Sequence, residues 1–171
     1  MVTSGKDLFR WSLFVDTDSL YLHTRQTFGI TARMDYLRLP LKIIQNSTNI
    51  DFFHEKMALV MRLGKDWQIF SDSLKRFGYD TVPADRGMQP ITIGTKVMSL
   101  MNFCNGVVIV TSSNKVLPLI KQIKDFGGLV KVVSFSKDVL LEEQNIEALD
   151  VDIILMNQEW LWKKGGVEER R

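Results

Sequence analysis

Six short runs rich in apolar residues, with helix-like segments between most of them, constrain this chain more than any other feature. They are WSLFVD (11–16), KMALVMR (56–62), GYDTVP (78–83), GVVIVT (106–111), GLVKVVSF (128–135) and DIILM (152–156). Near-continuous apolar runs of this length suit strands buried on both faces, and such strands need helices to cover them. DWQIFSDSLKRFG places Trp67, Phe70, Leu74 and Phe77 on one stripe and stops at Gly78. NKVLPLIKQIKDFGG places Val116, Leu119, Ile120, Ile123 and Phe126 on another, with Pro118 in its first turn and glycine again at its end. SLYLHTRQTFG and MDYLRLPLKIIQN are further helix candidates, the second started or kinked by Pro40, and NSTNIDFF reads as a loop. Strands alternating with helices imply right-handed βαβ units. The expected fold is a three-layer Rossmann-like α/β domain, a mostly parallel sheet with helices on both faces.

With 171 residues, 45% of them hydrophobic, the chain is long enough for one well-buried core. The expected organisation is one domain over 1–162 and a charged tail, KKGGVEERR, over 163–171. Net charge is only +2, so attraction to a polyanion has to come from local clustering. MVTSGKDLFRW has no apolar signal core, and no run approaches the ~20 residues of a membrane span, which points to a soluble cytoplasmic protein with no membrane partner. The single cysteine, Cys104, excludes an internal disulfide and reads as a buried structural thiol in a helix-like segment. His23 and His54 lack metal-ligand spacing.

Chemistry in an open parallel sheet belongs at the carboxyl ends of the strands. The first run ends in Asp16, an aspartate costly to bury unless it meets a cation, a metal or several donors. Asp18 is either a second carboxylate at that site or, the preferred reading, the N-cap of the following helix. The fourth run ends in Thr111, Ser112, Ser113, Asn114 and Lys115, a polar turn entering a helix.

The order of fragments LFVDTDSL, FSDSLKRFGYDTVP, QPITIGTKVMSLMN, VIVTSSNKVLPLI, FGGLVKVVSF and LDVDIILM resembles a NYN domain, the LabA-like branch of the PIN-like nucleases, over about Leu13 to Met156. The resemblance implies a metal-dependent nuclease fold acting on RNA. Its carboxylates cluster around Mg²⁺ or Mn²⁺ ions that activate water and stabilise developing charge. Here the first family aspartate is Asp16 and the family asparagine falls on Ser19. Two further family aspartates fall on Thr92 and Met98. The pair at the fourth strand falls on Ser113 and Lys115, while Pro118 keeps the family proline.

One carboxylate of the set remains, too few for hard oxygen ligation of a divalent ion beside RNA, and Lys115 would repel that ion. No cofactor is therefore expected, with Mg²⁺ or Mn²⁺ only if nuclease activity persists. In the structural alternative, Lys115 pairs with Asp16 while Thr92, Thr111 and Ser113 satisfy neighbouring groups. In the functional alternative, Thr92, Lys96, Thr111, Ser112, Ser113, Asn114 and Lys115 become donors to phosphate, extended by Arg62 and Arg86. The expected function is binding without catalysis, to RNA or to a protein partner. Two rivals stand: a ribonuclease using Asp16 and Asp18 with help from Glu55, Asp80 or Asp85, and a self-assembling scaffold with contacts at KVMSLMNF and the terminal tryptophans. Trp160 and Trp162 either stack on bases or pack as a C-terminal segment.

Overall fold

The computed structural model describes residues 9–141 and 149–163. The expected tail, apart from its first residue, lies outside them. Six strands, β1 (Trp11–Val15), β2 (Phe53–Met61), β3 (Asp80–Ala84), β4 (Gly106–Val110), β5 (Leu129–Ser134) and β6 (Asp152–Leu155), form one sheet in the order β3-β2-β1-β4-β5-β6. Every pairing is parallel. Among the described residues five α-helices connect them: α1 (Thr17–Phe28), α2 (Leu39–Gln45), α3 (Trp67–Arg76), α4 (Gln89–Leu100) and α5 (Leu117–Asp125).

Alternation along the central strands creates two cores. Leu13 and Val15 of β1, Val60 of β2 and Val110 of β4 pack with Leu20 of α1, Leu39 and Ile43 of α2 and Leu74 of α3. On the opposite face Phe14, Leu59 and Ile109 pack with Ile93 and Val97 of α4 and Leu117, Ile120 and Ile123 of α5. The molecule is therefore a three-layer, all-parallel α/β domain of Rossmann-like kind, as its apolar runs imply. No helix among the described residues is long and apolar enough to cross a membrane.

Differences from expectation are local. β2 begins at Phe53, three residues before the apolar run; its early residues His54, Glu55 and Lys56 are polar and at most partly covered, so they carry no apolar signal. Phe126, expected on the α5 stripe, is 71% exposed: α5 stops at Asp125, and Gly127 turns the chain with φ +83° before the ring can reach the core. Cys104 lies beyond the end of α4, half-buried rather than buried. Trp160 is buried, and Trp162 lies under the Arg33 guanidinium at 4.1 Å, with its backbone N–H donating to the Arg33 carbonyl. These tryptophans thus pack the segment after β6 against the α1–α2 connection.

Candidate functional site

The strand order runs outward in opposite directions from β1 and β4, so the crossovers leaving these neighbours go to opposite faces of the sheet. Their departure opens a crevice at the carboxyl edge, the usual ligand position in a doubly wound sheet. A cleft of about 680 Å³ lies there, lined by chain segments following β1, β3, β4 and β5. α1 contributes the stripe Ser19, Leu22, His23 and Gln26, spaced as one helix face.

Asp16 closes β1 and caps α1. It is 4% exposed, and both carboxylate oxygens are engaged within the protein: Oδ1 accepts from the Ser19 backbone N–H at 3.3 Å and Oδ2 from Thr111 Oγ1 at 2.8 Å. Capping therefore belongs to Asp16 and not to Asp18. Desolvation pushes the Asp16 carboxyl above its ordinary range, opposed by the hydrogen bonds from Thr111 and Ser19.

The turn after β4 is tied to the same centre. Ser113 N–H donates to Thr111 Oγ1 at 3.1 Å, Ser112 N–H donates to Ser19 Oγ at 2.9 Å, and the Ser19 and Thr111 hydroxyls are 3.1 Å apart. Thr111 is fully buried and acts beneath the cleft as a support. Ser112, Ser113, Asn114 and Lys115 line the cleft itself. Asn114 to Val116 form a 3-10 turn capped by Ser113 Oγ, which accepts from the Lys115 backbone N–H at 3.2 Å.

Lys115 does not pair with Asp16. Val116 and Leu117 of the same turn are buried in the core, which leaves Lys115 facing solvent, while Thr111 and Ser19 take the place of a cation at Asp16. Thr92 and Lys96 are not part of the lining; α4 turns Gln89, Pro90 and Ile93 toward the cleft instead. Arg62 makes a two-pronged ion pair with Asp85, at 3.0 and 3.1 Å, and neither it nor Arg86 lines the cleft. Glu55 and Asp80 sit near the amino ends of β2 and β3, at the opposite edge of the sheet.

Several lining residues carry no motif that marks them in the sequence. Gln89 Nε2 donates to Asp18 Oδ2 at 3.2 Å, joining the starts of α4 and α1 across one end of the cleft. Ser134, Ser136 and Asp138 line the other side. Their local signal is the S-x-D spacing of Ser136 and Asp138 just past a buried strand, where Ser136 Oγ accepts from the Asp138 N–H at 3.1 Å. His23 stacks on Phe135, rings 4.8 Å apart, and its burial lowers its pKa.

A divalent ion does not fit this donor set. Each Asp16 oxygen already accepts a hydrogen bond within the protein, Asp18 accepts from Gln89, and among the described residues no three His, Cys, Asp or Glu side chains group to hold a metal.

No family model and no curated protein matches the chain. A crystal structure of a protein of unknown function from Vibrio parahaemolyticus RIMD 2210633 is similar over 95% of this chain and 100% of that chain, at 14% identity and a TM-score of 0.73. A solution NMR structure of a de novo designed protein with a P-loop NTPase fold overlaps 88% of this chain and 86% of that one, at 15% identity and a TM-score of 0.49. The likeness to the Vibrio protein is one of fold: an α/β, Rossmann-like domain.

Proposed function

We propose that this chain is a catalytically inactive NYN/PIN-like domain that binds RNA, engaging about one nucleotide unit in the cleft between the ends of β1 and β4. One observation carries the reading. The sole family carboxylate, Asp16, lines the cleft but is 4% exposed, with one oxygen capping α1 through the Ser19 N–H and the other tying the ends of β1 and β4 together through Thr111, so its work is to organise the cleft. What the cleft offers instead is the turn from Ser112 to Lys115, whose backbone N–H groups at Ser112, Ser113 and Lys115 are bonded within the protein and whose side-chain donors, the Ser112 hydroxyl, the Asn114 amide and the Lys115 ammonium, suit phosphate.

Among the described residues the lining contains one lysine, no arginine, and three aspartates, Asp16, Asp18 and Asp138. That balance favours a short contact over a long track along a polyanion, since each neutralised phosphate needs its own cation. A buried apolar floor of Ile93, Leu119 and Val139 gives a base somewhere dry to lie.

Labelled single-stranded RNA, incubated with the full chain in Mg²⁺ or Mn²⁺, tests the proposal. Binding without cleavage, weakened by Lys115→Glu, is the expected result. Cleavage that disappears in Asp16→Asn would restore the nuclease reading, and absence of both binding and cleavage would leave a protein partner as the better account.

A further inference from the structure

Building on the RNA-binding reading, we infer that the β5 side of the cleft, Ser134 with Asp138, recognises the ribose 2′-hydroxyl, so that the domain selects RNA over DNA. Ser134 is 1% exposed, lines the cleft, and its Oγ has no hydrogen-bond partner. Buried hydroxyls are almost always satisfied, and one left open at the edge of a cleft asks for a partner from the ligand. Ser112 Oγ, just past the end of the neighbouring β4, is buried and unpartnered in the same way.

Asp138 completes the arrangement. Its backbone is held by Ser136, the residue is exposed at the cleft, and its carboxylate makes no hydrogen bond or ion pair among the described residues. A free carboxylate repels phosphate and accepts from a hydroxyl. The two sides of the cleft thus have opposite preferences: Asn114 and Lys115 suit the phosphate, while Asp138 and Ser134 suit the sugar. With deoxyribose, Ser134 Oγ stays unpaired and Asp138 meets no donor. A site built around a hydroxyl rejects the analogue that lacks it much more strongly than an apolar pocket rejects an extra group.

The test is fluorescence anisotropy with a labelled single-stranded RNA and the DNA of the same sequence, on wild type, Ser134→Ala, Asp138→Asn and Lys115→Glu. Wild type should bind RNA about tenfold or more tighter than DNA. Ser134→Ala and Asp138→Asn should bring that ratio to within about twofold by weakening RNA alone, and Lys115→Glu should weaken both nucleic acids together. Ser134→Ala should melt no lower than wild type, because it removes only an unsatisfied hydroxyl, so lost discrimination cannot be attributed to misfolding. Equal binding of RNA and DNA by wild type, or a ratio untouched by both β5-side variants, overturns 2′-hydroxyl recognition and leaves nucleic-acid binding intact. Failure to bind either probe overturns both readings.

Discussion

Thr111 Oγ1 donates to Asp16 Oδ2 at 2.8 Å, locking the carboxyl ends of β4 and β1 together where the strand order reverses. The same hydroxyl accepts from the Ser113 N–H, so one side chain fixes both the cap of α1 and the turn that leads to α5. Thr111→Val keeps the shape and removes the hydroxyl, leaving a buried carboxylate oxygen and a backbone N–H without this partner. It should cost about 2 kcal/mol or more in urea unfolding, whereas Thr111→Ser should retain most of the stability.

Burial lifts the Asp16 carboxyl above 3.8, so the folded state holds that proton more tightly than the unfolded chain. The associated stability is fully present below pH 3.8 and is lost as pH rises through the raised folded value. Asp16→Asn keeps a good N-cap and removes the titration. The melting temperature of Asp16→Asn relative to wild type should therefore climb from acid toward neutral pH. A difference that shrinks over that range would mean the charged form is the favoured one and that a cation reaches Asp16.

Among the described residues Lys115 is the only lysine lining the cleft, and no arginine joins it. RNA binding should accordingly show a shallow salt dependence, with a log–log slope near that of about one or two phosphates, roughly −0.7 to −1.4. Titrations at several salt concentrations measure it. A slope corresponding to five or more phosphates would place the interface on another surface.

Gly106 starts β4 beside Trp11, its partner on β1, and a Cβ there would lie 2.7 Å from the indole ring. The ring is 2% exposed and has nowhere to move. Gly106→Ala should cost about 1 to 3 kcal/mol in denaturant unfolding, as overpacking of a filled core does. Gly94, with open space around its Cβ position and an ordinary helical φ, should accept alanine with no loss.

Trp160 is 5% exposed within the core that α1 and α2 share with the sheet. Trp160→Ala should destabilise by about 3 kcal/mol or more in thermal or urea unfolding. Were RNA affinity to fall with stability unchanged, the tryptophan would be a stacking platform and not part of the packing.

Strands and helices were legible because their signals are local. Runs such as GVVIV can only be satisfied by burial on both faces, and the spacing of Trp67, Phe70, Leu74 and Phe77 defines a helix stripe without reference to the rest of the chain. Asp16 and the turn from Thr111 to Lys115 were legible for a related reason: an aspartate or a polar turn ending an apolar run stands out against its own neighbours. What the sequence could not decide was which of these groups meet. Gln89 reaches Asp18 across 71 positions, and Thr111 reaches Asp16 across 95. The rotation of α4 is set by burial of Ile93 and Val97, which turns Gln89 to the cleft and leaves Thr92 and Lys96 out of its lining. Burial of Val116 and Leu117 likewise sends Lys115 outward, away from the pairing its position suggested. Ser134 and Asp138 enter the site only because β5 lies next to β4 in the sheet. Apolar patterning thus determined the elements, while side-chain partners at the cleft were decided by strand order and helix rotation, the packing choices that minimise exposed apolar surface over the whole fold.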